Sequence, residues 1–115
     1  MRFFARSLLT SLVLALPAVF VHAEPNAHEP SAGRQQQLVR MVRQDCGSCH
    51  GMKLTGGLGP ALTPEAIGHW PEENLTAVIY QGRPGTPMPG WRGMLTENEA
   101  AWIASRLRAG FPHEE

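Results

Sequence analysis

One stretch of the chain combines residue types and spacing that do chemistry of their own: Cys46-Gly47-Ser48-Cys49-His50. C-x-x-C-H is the pattern that attaches c-type haem. Two thiols three positions apart lie near one another on a helical turn, so they can reach the two vinyl groups along one porphyrin edge and form thioethers. His50 is then held beneath the iron as proximal ligand. Three plainer readings compete. A structural zinc site wants four Cys or His ligands, and the chain has no third cysteine. A thioredoxin-like redox pair expects a βαβ setting, and no strand precedes the motif. A simple disulfide leaves the adjacent His50 without a role.

A second axial ligand is sought in Arg83 to Trp91 (R-P-G-T-P-M-P-G-W), whose three prolines exclude helix and central strand. It reads as a stiff extended loop with Met88 near its middle. A thioether sulfur suits haem iron, and His/Met ligation is the cytochrome c pattern that raises the reduction potential. Pro87 and Pro89 restrict the backbone on both sides and leave the sulfur little entropy to lose. The plain alternative is that Met88 fills a hydrophobic gap. Met94 is the fallback ligand and His69 the rival among the histidines. Met52 is too near His50 to cross to the other face, and His28 reads as a solvated side chain. Arg83 and Trp91 flank the loop and could meet a haem propionate, or equally sit at the surface. On the other side, Gly51 to Leu62 is a glycine-rich loop that lets backbone pass close to a flat ligand. A metal-bound histidine donates its second ring N–H to a carbonyl or carboxylate, and the Pro60 carbonyl is the candidate acceptor; an ordinary turn proline is the alternative.

Helices must position these groups. Ser31 is the expected N-cap of a helix from about Ala32 to Asp45, with Leu38, Met41 and Val42 as its apolar stripe and Arg34, Gln35, Gln36, Arg40 and Arg43 on its wet side. Thr63-Pro64-Glu65-Ala66 starts a helix of a turn or two. Pro71 to about Gln81 forms another, buried through Leu75, Val78 and Ile79 and stopped by Gly82. The last is the best specified. Thr96 and Glu99 form a capping box, Leu95 and Ala100 a hydrophobic staple, and Trp102, Ile103 and Leu107 the apolar face, before Gly110 and Pro112 end it. No period-two strand or internal repeat occurs.

Residues 1–23 read as an export signal, with Arg2 and Arg6 before an apolar run and cleavage expected between Ala23 and Glu24. The run is too short for a membrane span, which needs ~20 apolar residues, so no stable anchor is expected. Residues 24–31 read as a flexible leader and 32–115 as one small domain. The full chain has ten basic and ten acidic residues; without Arg2 and Arg6 eight basic face ten acidic, and Lys53 is the only lysine. A lysine ring for acidic partners is absent, and nucleic-acid binding has no support. A domain this small often needs a staple; one covalent haem, filling the core, would serve.

Taken together these parts resemble a class I c-type cytochrome. The resemblance covers nearly everything after Ser31: a helix leading into C-G-S-C-H, a following G-P-A-L, a middle helix, a methionine in P-M-P, and a final helix with an aromatic. It implies an all-α fold whose first and last helices cross around one haem c, His50 and Met88 as axial ligands, and the Pro60 carbonyl bonded to His50. One departure is Leu38, eight positions before Cys46, where the family often has a small residue. Within the family, G-L-G-P-A-L-T-P-E-A-I and G-R-P-G-T-P-M-P-G-W resemble the small NirC-type cytochromes. That similarity implies a periplasmic, monomeric electron carrier rather than an enzyme, donating to cytochrome cd-type nitrite reductase in denitrification. The alternative it implies is an accessory factor in haem d1 biogenesis or insertion.

Overall fold

The computed structural model describes residues 29–113. The signal expected at 1–23, its cleavage at Ala23, and His28 lie outside the described residues. Helix α1, Ala32–Met41, begins where Ser31 Oγ accepts the Arg34 N–H at 3.4 Å. It does not stop at Asp45. A π-helical turn, Val42–Cys46, follows, and α2, Gly47–His50, carries the helix through the C-x-x-C-H motif. A π turn inserts one residue into the helical ladder, which shifts the downstream face by about 100°. Ser48 helps the passage by donating its hydroxyl to the Asp45 carbonyl at 2.7 Å.

Helix α3, Pro64–Ile67, has Pro64 in its first turn, but Thr63 bonds it through its carbonyl and not through its hydroxyl. Helix α4, Glu72–Gln81, buries Leu75, Thr76 and Ile79, with Val78 only half-buried. Thr76 tolerates burial because its hydroxyl donates to the Glu72 carbonyl at 2.8 Å. Helix α5, Glu97–Ala109, has both bonds of the capping box: Glu99 N–H to Thr96 Oγ1 at 3.2 Å and Thr96 N–H to the Glu99 carboxylate at 2.8 Å. Among the described residues there is no strand, only an isolated bridge between Gly82 and Pro89.

The core joins Leu38 and Val42 of the first helical run to Leu75 and Ile79 of α4 and to Ala100, Ile103, Ala104 and Leu107 of α5. Ala100 and Ala104 are fully buried. They are the small residues of the α5 face that packs into this core, whereas α1 brings the larger Leu38 to it.

Two polar ties bind the start of the chain to its end. Arg43, expected on the wet side, is 9% exposed. Its guanidinium donates to the carbonyls of Phe111 at 2.9 Å and Pro112 at 2.8 Å, and lies 5.6 Å from the Phe111 ring. Carbonyls beyond a helix end lack intrahelical partners. Arg43 takes them, and no local periodicity could anticipate a return from the far end of the chain. In the second tie, Arg34 grips the Glu99 carboxylate through Nε at 2.6 Å and a terminal nitrogen at 3.2 Å.

The Arg34 hydrogen bond holds the Glu99 carboxyl below its ordinary value of 4.5, helped by the Thr96 backbone. A depressed carboxylate contributes stability that is complete above the ordinary value and lost as pH falls through the folded one. Glu99→Gln keeps the capping geometry but not the charge. It should cost roughly 1 kcal/mol at pH 7, a modest figure because Arg34 is partly screened by solvent. The difference from wild type, followed by thermal melts, should close as pH falls from 4.5.

Candidate haem site

The C-x-x-C-H motif runs from the last residue of the π turn, Cys46, through α2, with Cys46 half-buried, Cys49 exposed and both thiols free. Burial, reinforced by the Asp45 carboxylate, pushes the Cys46 thiol up to about 11. At neutral pH it stays protonated, which disfavours disulfide exchange between the pair. Among the described residues no group of three or more His, Cys, Asp or Glu side chains converges on a metal. The zinc reading therefore lacks a donor set. A porphyrin, which brings four nitrogens and leaves two axial positions to the protein, needs none.

His50 is 8% exposed, and its Nδ1 lies 2.7 Å from the Pro60 carbonyl oxygen. A carbonyl can only accept, so Nδ1 carries the proton, and the neutral ring keeps its lone pair on Nε2. The loop after α2 is folded back to make that bond: Gly56 N–H donates to the His50 carbonyl and Gly59 N–H to the Cys49 carbonyl, both at 2.8 Å. Gly59 lies flat against the imidazole. A Cβ there would stand 2.8 Å from His50 Cε1 and 2.9 Å from Nδ1. Gly59→Ala should therefore push the ring off its acceptor, lower the yield of holoprotein and destabilise what forms by about 1–3 kcal/mol. A thermal melt of the purified variant beside wild type measures it.

Met88 is half-buried on a loop that is a closed turn and not an extended segment. The Arg83 N–H donates to the Met88 carbonyl at 3.2 Å, and the Thr86 N–H to the Arg83 carbonyl at 3.1 Å. The Thr86 hydroxyl donates to the same Arg83 carbonyl at 2.7 Å and accepts the Met88 N–H at 3.4 Å. The turn is stitched to the end of α4, where Trp91 N–H reaches the Ile79 carbonyl and Arg92 N–H the Tyr80 carbonyl. Gly82, at φ +79°, makes this approach possible: a Cβ on it would stand 2.5 Å from the Gly90 nitrogen.

The other candidates are placed as follows. Arg83 has an exposed side chain and meets Met88 through its backbone, while Trp91 is half-buried against the core. Met94 is 59% exposed and anchors Arg34 through its carbonyl. His69 is exposed, edge-on to Trp70. Sequence reasoning missed Ser48, Thr86 and Arg43. For Thr86 a signal existed, since a hydroxyl residue among prolines and glycine marks a side-chain-bonded turn. It also missed Leu54, which is buried at φ +61°, a left-handed conformation unusual for leucine.

An all-helical domain with two free thiols on one helical turn, and a histidine whose Nε2 alone is left to coordinate, has the donor chemistry of a covalent haem protein. Known proteins agree. A family model for cytochrome c oxidase, cbb3-type, subunit III matches residues 33–105. Cytochrome c55X of Pseudomonas aeruginosa is 50% identical over 109 residues, covering 93% of this chain and 92% of that protein. The solved c-type cytochrome NirC is 57% identical with a TM-score of 0.69, covering 70% of this chain and 95% of its own. Dihydro-heme d1 dehydrogenase of Pseudomonas aeruginosa is 36% identical over 74 residues, which are 64% of this chain but 15% of that protein. The chain belongs to the class I c-type cytochromes, of the NirC and cytochrome c55X kind. It is an electron-transfer protein that carries covalently bound haem c.

Proposed function

We propose that the thiols of Cys46 and Cys49 hold the haem, that His50 Nε2 and the Met88 sulfur fill its axial positions, and that the protein is a periplasmic one-electron carrier of denitrification donating to cytochrome cd-type nitrite reductase. The observation that carries the reading is the hydrogen bond from His50 Nδ1 to the Pro60 carbonyl, which leaves Nε2 as the ligating atom. When bound, the haem supplies a ferric/ferrous couple. The chain's own residues orient the imidazole, brace the methionine through Thr86, and leave no open position for a substrate. Partner contact is transient, monomer to partner, at the haem edge. Leu58, 94% exposed beside Gly59, and the loop Gly85 to Trp91 offer apolar contact there; with one lysine in the chain, lysine-based steering is weak. Among the described residues no helix is long and apolar enough to cross a membrane.

Stopped-flow mixing of reduced holoprotein with oxidised nitrite reductase tests the assignment. Rapid oxidation that changes little with ionic strength supports it; oxidation no faster than with an unrelated acceptor overturns it. The likeness to a short part of dihydro-heme d1 dehydrogenase supports a second reading, service to haem d1 biogenesis or insertion. A deletion strain separates the two. Reductase with normal haem d1 but slow turnover fits the carrier, whereas reductase lacking haem d1 fits the maturation factor.

A further inference from the structure

A full positive charge is buried beside the attachment motif. Arg43 lies in the π turn, three residues before Cys46, and is among the buried residues of the chain. One terminal nitrogen lies 3.5 Å from the Met52 carbonyl oxygen, two residues beyond His50, so the side chain reaches from one flank of the motif to the other. The remaining nitrogens donate to the Phe111 and Pro112 carbonyls. Carbonyls solvate a guanidinium without neutralising it. Among the described residues the ion pairs are Arg34 with Glu99, Arg106 with Glu29 and Arg108 with Glu72, and none includes Arg43. The small cavity against it, about 130 Å³, is also lined by Lys53 and His113 and by no acidic side chain. Taking a charge out of water with no opposite charge to meet it is costly. A neutral amide could tie the same two carbonyls at less cost.

We infer that Arg43 tunes the haem couple: its buried, unneutralised charge favours the ferrous state and raises the reduction potential. The step it acts on is the gain of one electron from a redox partner, ferric haem becoming ferrous, with no bond made or broken. That gain lowers the positive charge at the iron by one. A fixed positive charge nearby repels the ferric form more strongly than the ferrous one. Burial makes the repulsion felt, because the protein interior screens far less than water and salt do. Lys53 lines the same cavity but is exposed, so its charge is largely screened. A guanidinium stays charged even when buried, which suits it to a permanent bias. Local burial and dielectric are among the levers a protein has on haem potential. The inference rests on the haem being held at Cys46, Cys49 and His50.

Spectroelectrochemical titration of holoprotein in mildly acidic buffer compares wild type with Arg43→Gln, Arg43→Lys and His113→Asp. Arg43→Gln keeps a donor for the tail carbonyls and drops the charge. Its ferrous-to-ferric ratio at the wild-type midpoint should be lower by about tenfold, which is 59 mV for a one-electron couple. Arg43→Lys keeps the charge but loses the planar fork, and should stay within roughly twofold of wild type. His113→Asp covers the case in which Arg43→Gln does not fold. The residue is exposed, and its new carboxylate would share the cavity with Arg43. The ratio should then be several-fold lower, by a margin that narrows as salt is added. Arg43→Gln or His113→Asp titrating like wild type would overturn the proposal. So would Arg43→Lys dropping as far as Arg43→Gln, since the tie and not the charge would then set the potential. A denaturing gel of the same samples keeps the two readings separate. Wild-type haem that leaves the denatured chain refutes the attachment, whereas haem that stays, with potentials unmoved, refutes the role of Arg43 alone.

Discussion

Replacing Cys46 and Cys49 together by serine should leave a chain with no cooperative thermal transition and little helix by circular dichroism. The described core is one cluster of twelve buried hydrophobic residues, three of them alanine or valine. Fixing each residue's backbone costs roughly 1–2 kcal/mol, and net stability of a small domain is only about 5–15 kcal/mol. A large aromatic side chain buries about 150–250 Å², contributing roughly 4–6 kcal/mol at 25 cal/mol/Å². A macrocycle exceeds any such side chain, so losing it removes an amount comparable to the whole margin. Loss of the thioethers also frees the helix carrying His50 from the loop carrying Met88. A sharp melt in the double variant, with wild-type helix content, would show that the residues pack without the haem.

Met88→Ala should have the largest effect on redox behaviour. The thioether favours the ferrous state, and axial ligands command a span of about 0.8 V in haem proteins. Loss of Met88 should lower the potential by at least roughly 100 mV, abolish the methionine–iron absorbance band of the ferric protein and open the iron to exogenous ligands. The fold should survive, because the turn's backbone bonds to α4 do not involve the sulfur. Met94→Ala should leave the potential unchanged, since Met94 is largely exposed and acts through its carbonyl. Spectroelectrochemical titration of the two variants checks both expectations. An unmoved potential in Met88→Ala would reassign the ligand.

Much of the fold was readable because its signals are local. The capping box of Thr96 and Glu99, the Ser31 cap and the glycine after α4 are decided within a few residues, and all stand in the structure. The expected partnership of His50 with Pro60 was also accessible, since metal-ligating histidines need a second acceptor and the loop returns within ten residues. What remained hidden depends on distant chain. Arg43 looked like a solvated side chain until the carbonyls of Phe111 and Pro112 came back over it. The π turn before the motif has no compositional signature, and the Met88 loop, read as extended from its prolines, closes on itself because Thr86 bonds inward.

The central claim is that both axial positions of the haem are filled by the protein, which makes it a carrier and not a catalyst. Adding carbon monoxide to the reduced wild-type holoprotein, and recording the Soret band, tests this most directly. The band should not move, while that of Met88→Ala should shift at once. A prompt shift in the wild type would mean an open or labile sixth position, and would contradict the account.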